Sequence, residues 1–390
     1  MVDATRLGLT SNPFEPAASG APVTADLWLP ESWRTRLRKS IDLLSGGRGV
    51  KALAVSGAYG SGKSYVLQWL LREEFPRRHD VKPFYFDNPG VQFYDLANSL
   101  LRQIGRKDLA KCIWELAAIH VTGYQRDLFL RGFEEYLRSH RRQTTDVLSE
   151  LQTAIVNARI TADEEIAHRL ARLVTDSPRK PYFEYRDFVA GRPDALVAER
   201  EEAGYFGAIL TILRLASGIK SVAFLVDEFE EISLQKRLTK REAHDYLATL
   251  RRLIDLTHEG DLWLVVAMTP DAVQKTNALA PALWDRFTNK GKYHWELPAL
   301  SEGDATALVK HRLAAVRAQG EARRDELFPF PPDLVSLLKP ATFSTPRRLV
   351  QFCFYAIGGA TESTPVPFRE DYLKKVEAKL YPSAREVAES

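Results

Sequence analysis

Cysteine is scarce in this sequence. Cys112 and Cys353 are the two present, far apart and in no metal-type spacing. That excludes a disulfide framework, and the pair reads as two reduced structural thiols of a cytoplasmic protein. Long apolar runs are missing as well. None approaches the roughly 18 residues that a membrane span requires, and the N-terminus lacks an apolar signal core. The expectation is a soluble, cytoplasmic chain with no membrane partner. The eight histidines form no H-E-x-x-H or other metal spacing. Neither a G-x-S-x-G elbow nor a nuclease-like acid cluster is present. Repeats and low-complexity tracts are also absent. Neither sign of charge is in large excess. A net charge of +3 does not by itself argue for a nucleic-acid partner, although local basic clusters still matter.

What is there is an ordinary globular composition, 45% hydrophobic and 27% charged over 390 residues. That is enough for two or three domains and a sizeable core. Within it lies Gly57-Ala58-Tyr59-Gly60-Ser61-Gly62-Lys63-Ser64, followed by Tyr65. The stretch fits G-x-x-x-x-G-K-[ST], the phosphate-binding P-loop. Glycines free successive backbone N–H groups to wrap a phosphate chain. Lys63 is placed to reach the β- and γ-phosphates, and the Ser64 hydroxyl to ligate Mg²⁺. The flanks agree with the motif. Residues 51–56 read as a short buried strand, and 65–71 as the apolar start of a helix. Gly57 to Tyr65 is therefore the candidate nucleotide-binding segment.

A second signal lies far downstream. Ser221-Val222-Ala223-Phe224-Leu225-Val226 reads as a buried parallel strand, and Asp227 and Glu228 follow it directly. In an open α/β sheet, ligands bind beyond the carboxyl ends of the strands. Asp227 suits a Mg²⁺ shell, and Glu228 is placed to polarise a water for attack on a γ-phosphate. Residues 262–268 form another buried strand, ending at Thr269, where a polar residue could hold the attacking water. Strands at 81–86 and 293–297 bring the number to five, alternating with helices. One helix is expected to end near Trp284–Phe287. Ser301 and Asp304 resemble a capping pair for a helix that Gly320 ends. Thr345 and Pro346 read as N-cap and first residue of a further helix. Arg347 and Arg348 then fall in its first turn, where the macrodipole disfavours cations. A cation there calls for an external anion, and a bound nucleotide is one.

The remaining segments are less specific. Residues 1–30 are rich in Pro, Ala, Thr and Ser and read as an extended arm, either a partly ordered leader or a segment packing near an adenine ring. A helix over 31–45 follows. Residues 105–203 read as a helical insertion. It carries Arg138, His140, Arg141 and Arg142 in one basic cluster and Arg169, Arg172, Arg179 and Lys180 in another. Tyr182, Phe183, Tyr185 and Phe188 come just after. A solvated helical surface is one reading; phosphate contact with single-strand stacking is the other.

These pieces together resemble the AAA+ ATPases. The Walker A loop (Gly57 to Ser64) and the Walker B acids (Asp227, Glu228) are followed, in the family's order, by three further positions. They are a sensor-1 position at Thr269, an arginine-finger position at Arg286 and a sensor-2 position at Arg347. Asn12-Pro13-Phe14, the stretch around Arg286 and Thr345-Pro346-Arg347-Arg348-Leu349 look most like the origin-recognition/Cdc-type initiator branch. Transposon-targeting and phage-defence ATPases are among its bacterial relatives. The resemblance implies an α/β fold, a P-loop NTPase three-layer core with a parallel five-stranded sheet, a helical insertion and a C-terminal helical lid. It also implies a division into an arm and first helix (1–45), a core (46–300, insertion about 105–203) and a lid (301–390). ATP and Mg²⁺ are the implied cofactors, with Ser64 and Asp227 on the metal and Lys63, Glu228, Thr269, Arg286 and Arg347 as catalytic residues. Arg286 would reach the nucleotide of a neighbouring copy, so a homo-oligomer is implied, with DNA or a DNA-processing complex as partner. The distance from Walker A to Walker B is far longer than that branch usually has. The chain also ends soon after the lid, leaving no room for the initiators' winged-helix DNA reader. The functional expectation is an ATP-hydrolysing switch in a DNA-handling complex, or else a nucleotide-gated scaffold in phage defence without direct DNA contact.

Overall fold

Apolar runs set the sheet. In the computed structural model, which describes residues 4–14, 27–46, 51–90, 93–122, 132–176, 195–230, 239–256, 262–317 and 326–382, the strands are β1 (Lys51–Ser56), β2 (Val81–Phe86), β3 (Ser221–Val226), β4 (Leu262–Met268) and β5 (His294–Glu296). Their order is β2-β3-β4-β1-β5. β2 and β3 run parallel, Val81 opposite Ser221 through Phe86 opposite Val226. β3 and β4 are also parallel, from Val222 opposite Leu262 to Val226 opposite Val266. Ala54 N–H donates to Tyr293 O at 3.0 Å, and Leu297 N–H to Ser56 O at 2.8 Å. These bonds step in one direction along both chains, so β5 runs parallel to β1.

Every residue of β3 and β4 is buried. Central parallel strands are covered on both faces, so their sequences read as unbroken apolar runs rather than alternations. Each fully buried side chain such as Phe224 or Val266 contributes about 1.5–3 kcal/mol of transfer free energy. β2 differs. Its burial is mixed, and it carries Pro83, which an edge strand tolerates because one row of N–H groups has no ladder partner.

The helices are α1 (Glu31–Gly46), α2 (Lys63–Trp69), α3 (Phe93–Ile104), α4 (Arg106–Thr122), α5 (Phe133–His140), α6 (Thr144–Asn157), α7 (Glu164–Asp176) and α8 (Ala195–Ser217). They continue with α9 (Lys240–Leu256), α10 (Pro270–Leu279), α11 (Pro281–Thr288), α12 (Glu302–Ala314), α13 (Leu334–Leu337), α14 (Pro340–Phe343), α15 (Pro346–Gly358) and α16 (Glu370–Leu380). Among the described residues, no helix is long and apolar enough to cross a membrane. The single helix expected to end near Phe287 is two, α10 and α11. Pro281 opens α11, and a residue before proline is pushed out of the α region; Ala280 accordingly sits at φ −142°, ψ 69°.

The chain forms two compact units. One comprises Met1–Ile41, Val55–Trp69 and Trp295–Ser390; the other comprises Asp42–Ala54 and Leu70–His294. In the second unit a single apolar core runs from β2–β4 into the insertion. Phe86 packs on Phe224 (ring centroids 5.1 Å), Phe224 on Phe206 (5.8 Å) and Phe206 on Phe93 (5.3 Å). Trp114 packs on Phe133 at 5.2 Å, and Leu151, Ile155, Leu170 and Leu213 belong to the same cluster. Helices α4 to α8 are thus part of the sheet's own core. Asp163 caps α7, accepting from Glu165 N–H (2.9 Å) and Ile166 N–H (3.0 Å). Cys112 and Cys353 are free, and burial pushes both thiols above their ordinary range, as for inert structural cysteines.

In the first unit, the described part of the N-terminal arm is tied down. Leu7, Leu9 and Phe14 are fully buried, and Phe14 meets Phe330 edge-on at 6.2 Å. Thr10 N–H donates to Val316 O (2.8 Å), and the Asn12 amide to Phe354 O (3.1 Å). Leu9 pairs with Arg317 as an antiparallel bridge. That pairing needs extended chain after Val316, so α12 ends at Ala314, short of the expected Gly320, which lies outside the described residues. Residues 15–26 lie outside them too. Ser301 caps α12, with Asp304 N–H donating to its Oγ at 3.1 Å.

Candidate nucleotide site

The loop between β1 and α2 has the geometry its glycines allow. Gly60 and Gly62 stand at φ +79° and +103°, in the region L-residues avoid. Gly57 is needed for a different reason: a Cβ there would lie 2.5 Å from Ser61 Oγ. Ser61 Oγ itself is buried and has no hydrogen-bond partner among the described residues. A buried hydroxyl without a partner costs roughly 1–3 kcal/mol. An orphan of this kind, inside a cradle of glycines at the start of a helix, fits a bound phosphate chain. Lys63 is buried to 9% exposure and folds its ammonium back over the loop, donating to Gly57 O (3.0 Å) and Ala58 O (3.3 Å). Ser64 is exposed and Tyr65 half-buried. Tyr65 Oη accepts from Arg312 of α12, which also donates to Pro13 O at 3.1 Å. Trp33 of α1 lies beside Gly62, 3.5 Å from where a Cβ would stand.

The first turn of α15 docks on the same loop. Arg347 N–H donates to Gly60 O at 3.3 Å. The Arg347 guanidinium carbon sits 4.2 Å from the centroid of the Tyr59 ring. Thus Gly57–Tyr65 and Arg347, separate in sequence, come together within one unit.

The acid pair belongs to the other unit. Asp227 is 4% exposed. Its Oδ2 accepts from Tyr85 Oη at 3.1 Å, and its Oδ1 from Glu228 N–H at 2.9 Å. Both carboxylate oxygens are therefore oriented by the protein. Glu228 is exposed and holds φ +47°, left-handed for a residue with a side chain. Phe229 N–H donates to Ala267 O at 3.0 Å, so the chain past Glu228 is pinned to the end of β4. Thr269 caps α10, its hydroxyl oxygen accepting from Ala272 N–H at 3.4 Å. That leaves the hydroxyl proton to give. Arg286 is exposed on α11. Tyr85 is the residue the sequence did not single out. Its only signal was a place near the end of a strand adjoining β3.

The basic clusters look different in three dimensions. Arg138 pairs with Glu135 (3.2 Å), Arg169 with Glu165 (3.0 Å) and Arg172 with Asp176 (3.4 Å). Arg142 makes a two-pronged pair with Glu150, at 2.8 and 2.6 Å, which holds its guanidinium above its ordinary pKa. Arg141 ends α5 in the left-handed region, φ 52°. Arg179, Lys180, Tyr182, Phe183, Tyr185 and Phe188 lie outside the described residues.

No family model matches the chain, and no curated protein does. Solved structures do. The chain is similar to the Aeropyrum pernix ORC1 protein in complex with DNA: 14% identity, TM-score 0.45, 92% of this chain and 68% of that one. It is also similar to the A. pernix ORC2 protein in its ADPNP–ADP complexes (14%, TM-score 0.49, 97% and 73%). A third likeness is to Cdc6p from Pyrobaculum aerophilum (14%, TM-score 0.41, 92% and 64%). At such identities the functional reading has to come from this chain's own residues.

Proposed function

We propose that the chain is an ATP-binding and ATP-hydrolysing protein of AAA+ type, assembling with itself and with a DNA-handling complex and using nucleotide state as a switch. The observation that carries the reading is the loop Gly57–Ser64, with left-handed glycines, an orphaned buried hydroxyl and a lysine at the head of α2. In this reading residues 46–300 are the ATPase core and 301–390 its lid, in a cytoplasmic setting. Lys63 neutralises the β- and γ-phosphates. Ser64 and Asp227 would be the residues to hold Mg²⁺, which would supply charge stabilisation for phosphoryl transfer when bound. Glu228 takes the proton of the attacking water, Thr269 orients that water, and Arg347 couples the lid to the phosphates. Arg286, exposed on α11, completes the site of a neighbouring copy.

One observation favours the second reading, a nucleotide-gated scaffold in phage defence with no direct DNA contact. Four of the insertion's arginines already have acidic partners, so they offer little uncompensated charge to a phosphate backbone. Mass measurement on the full chain separates the two readings. It is run with and without a non-hydrolysable ATP analogue, then with DNA added. A larger species that requires the analogue and retains DNA supports the first reading. The same species without DNA supports the scaffold. A monomer under every condition removes the composite site.

A further inference from the structure

Tyr59 occupies a position that the P-loop pattern leaves open, at the crest of the loop. It is 76% exposed, so it is not a packing residue of the core. One face of its ring is nevertheless covered, by the Arg347 guanidinium at 4.2 Å. A backbone hydrogen bond and close backbone approach bring α15 against the loop at this point. Arg347 N–H bonds to Gly60 O. A Cβ at Gly60 would stand 2.8 Å from Arg347 Cβ, and one at Gly62 would stand 3.9 Å from Pro346 Cγ. At Gly60 loop and helix approach this closely because the position is glycine; at Gly62 the spacing is ordinary van der Waals contact.

The contact solves a local problem. Arg347 is the second residue of a 13-residue helix, where the aligned peptide dipoles repel a cation. An aromatic face attracts one. The ring of Tyr59 therefore supplies the negative potential that the helix end denies.

We propose that Tyr59 is a positioning residue that seats Arg347 in the resting state, forming a latch that a nucleotide has to open. The proposal rests on the reading of Gly57–Ser64 as a nucleotide site. A triphosphate lying in that loop offers the guanidinium a charged, two-pronged partner, which outcompetes a ring face. The seat then acts as a built-in competitor: it keeps the lid arginine beside the phosphates' position while lowering affinity for them. Release of Arg347 from the ring couples phosphate occupancy to movement of α15.

The test is a calorimetric titration of the full chain with a non-hydrolysable ATP analogue, comparing wild type, Tyr59→Leu, Tyr59→Phe, Arg347→Ala and the Tyr59→Leu/Arg347→Ala double variant. Tyr59 is exposed, so its replacement does not threaten the fold. An exposed cation–π contact corresponds to about a two- to fivefold factor in an equilibrium. Tyr59→Leu should tighten binding by about that factor. Tyr59→Phe, which keeps the ring, should reverse the gain. In the Arg347→Ala background, Tyr59→Leu should change nothing. Binding of Tyr59→Leu that is unchanged or weaker overturns the latch, as does a gain that persists without Arg347. Failure of the wild type to bind any analogue is a separate result, which overturns the nucleotide reading of the loop and the latch with it.

Discussion

At Gly57–Ser64 a buried hydroxyl, that of Ser61, has no partner among the described residues, and three glycines hold the backbone open around it. At Asp227 both carboxylate oxygens are taken, one by Tyr85 and one by Glu228 N–H. The difference separates two kinds of polar site. An unsatisfied buried group calls for something from outside, because leaving it bare costs roughly 1–3 kcal/mol. A carboxylate whose two oxygens each accept one bond is already fixed in place and keeps a lone pair on each for a metal, which is what pre-organised charge requires. On the proposed function the loop is completed by a ligand, whereas the acid pair is held in shape by the chain's own bonds. The arginines of the insertion belong with the acid pair, since Arg142 and Arg169 are closed off by Glu150 and Glu165.

The contrast can be broken most forcefully with Lys63→Ala and Glu228→Gln side by side. Removing the ammonium from the open site should cost about 100-fold in nucleotide affinity, the scale of a charged hydrogen bond lost at its upper end. Glu228→Gln keeps the shape of the closed site and removes only its basicity. Binding should stay within about twofold while turnover falls by about 10²–10⁴-fold, the contribution of a general base. Titration with a fluorescent nucleotide reads the first number and phosphate release the second. Normal hydrolysis by Glu228→Gln would remove that residue from the base position.

The open site was legible in the sequence because its chemistry is local. Gly57, Gly60, Gly62 and Lys63 lie within one turn of chain, and φ +79° at Gly60 is something only glycine adopts readily. Strands β3 and β4 were equally legible, since burial on both faces demands unbroken apolar residues. The closed site was half legible. Asp227 and Glu228 follow β3 directly, but Tyr85 reaches Asp227 across 142 positions through the β2–β3 register. No pattern within a window carries such a pairing. The insertion shows the same limit. The helical character of 105–203 was readable, yet its sharing one core with the sheet depends on contacts such as Phe206 on Phe224. Arg138 and Arg169 have acids three and four positions away, so their pairing could be read from helical spacing. Arg142 finds Glu150 eight positions on because its segment turns between α5 and α6.

Tyr85→Phe sharpens the comparison at intermediate cost. The variant keeps the ring between its neighbours and removes one hydrogen bond to a carboxylate, about 1.5 kcal/mol at the lower end for a charged acceptor. A tenfold loss is about 1.4 kcal/mol, so turnover should fall about tenfold. The Mg²⁺ concentration giving half-maximal rate should rise, because Asp227 Oδ2 is no longer oriented. Nucleotide affinity measured without Mg²⁺ should not move, since the open site is untouched. A Mg²⁺ dependence identical to wild type would mean that Tyr85 does not position Asp227 for the metal.

The smallest effect is expected from the double variant Arg142→Ala/Arg169→Ala. Each phosphate contact made by a cation contributes about −0.9 to the slope of log affinity against log salt on duplex DNA. Two arginines that held phosphates would take about 1.8 out of that slope when removed. Paired as they are with Glu150 and Glu165, they release no counterions on binding, and the slope should stay where it was. Their loss should show instead as a slight destabilisation, because ion pairs at the surface, here with half-buried arginines, are worth up to about 1 kcal/mol each. Salt-dependent retention of the full chain on duplex DNA, wild type against the double variant, gives the comparison directly. A slope reduced by nearly two would mean that these arginines leave their acids for phosphate, placing the insertion with the open loop, as a surface completed by its partner.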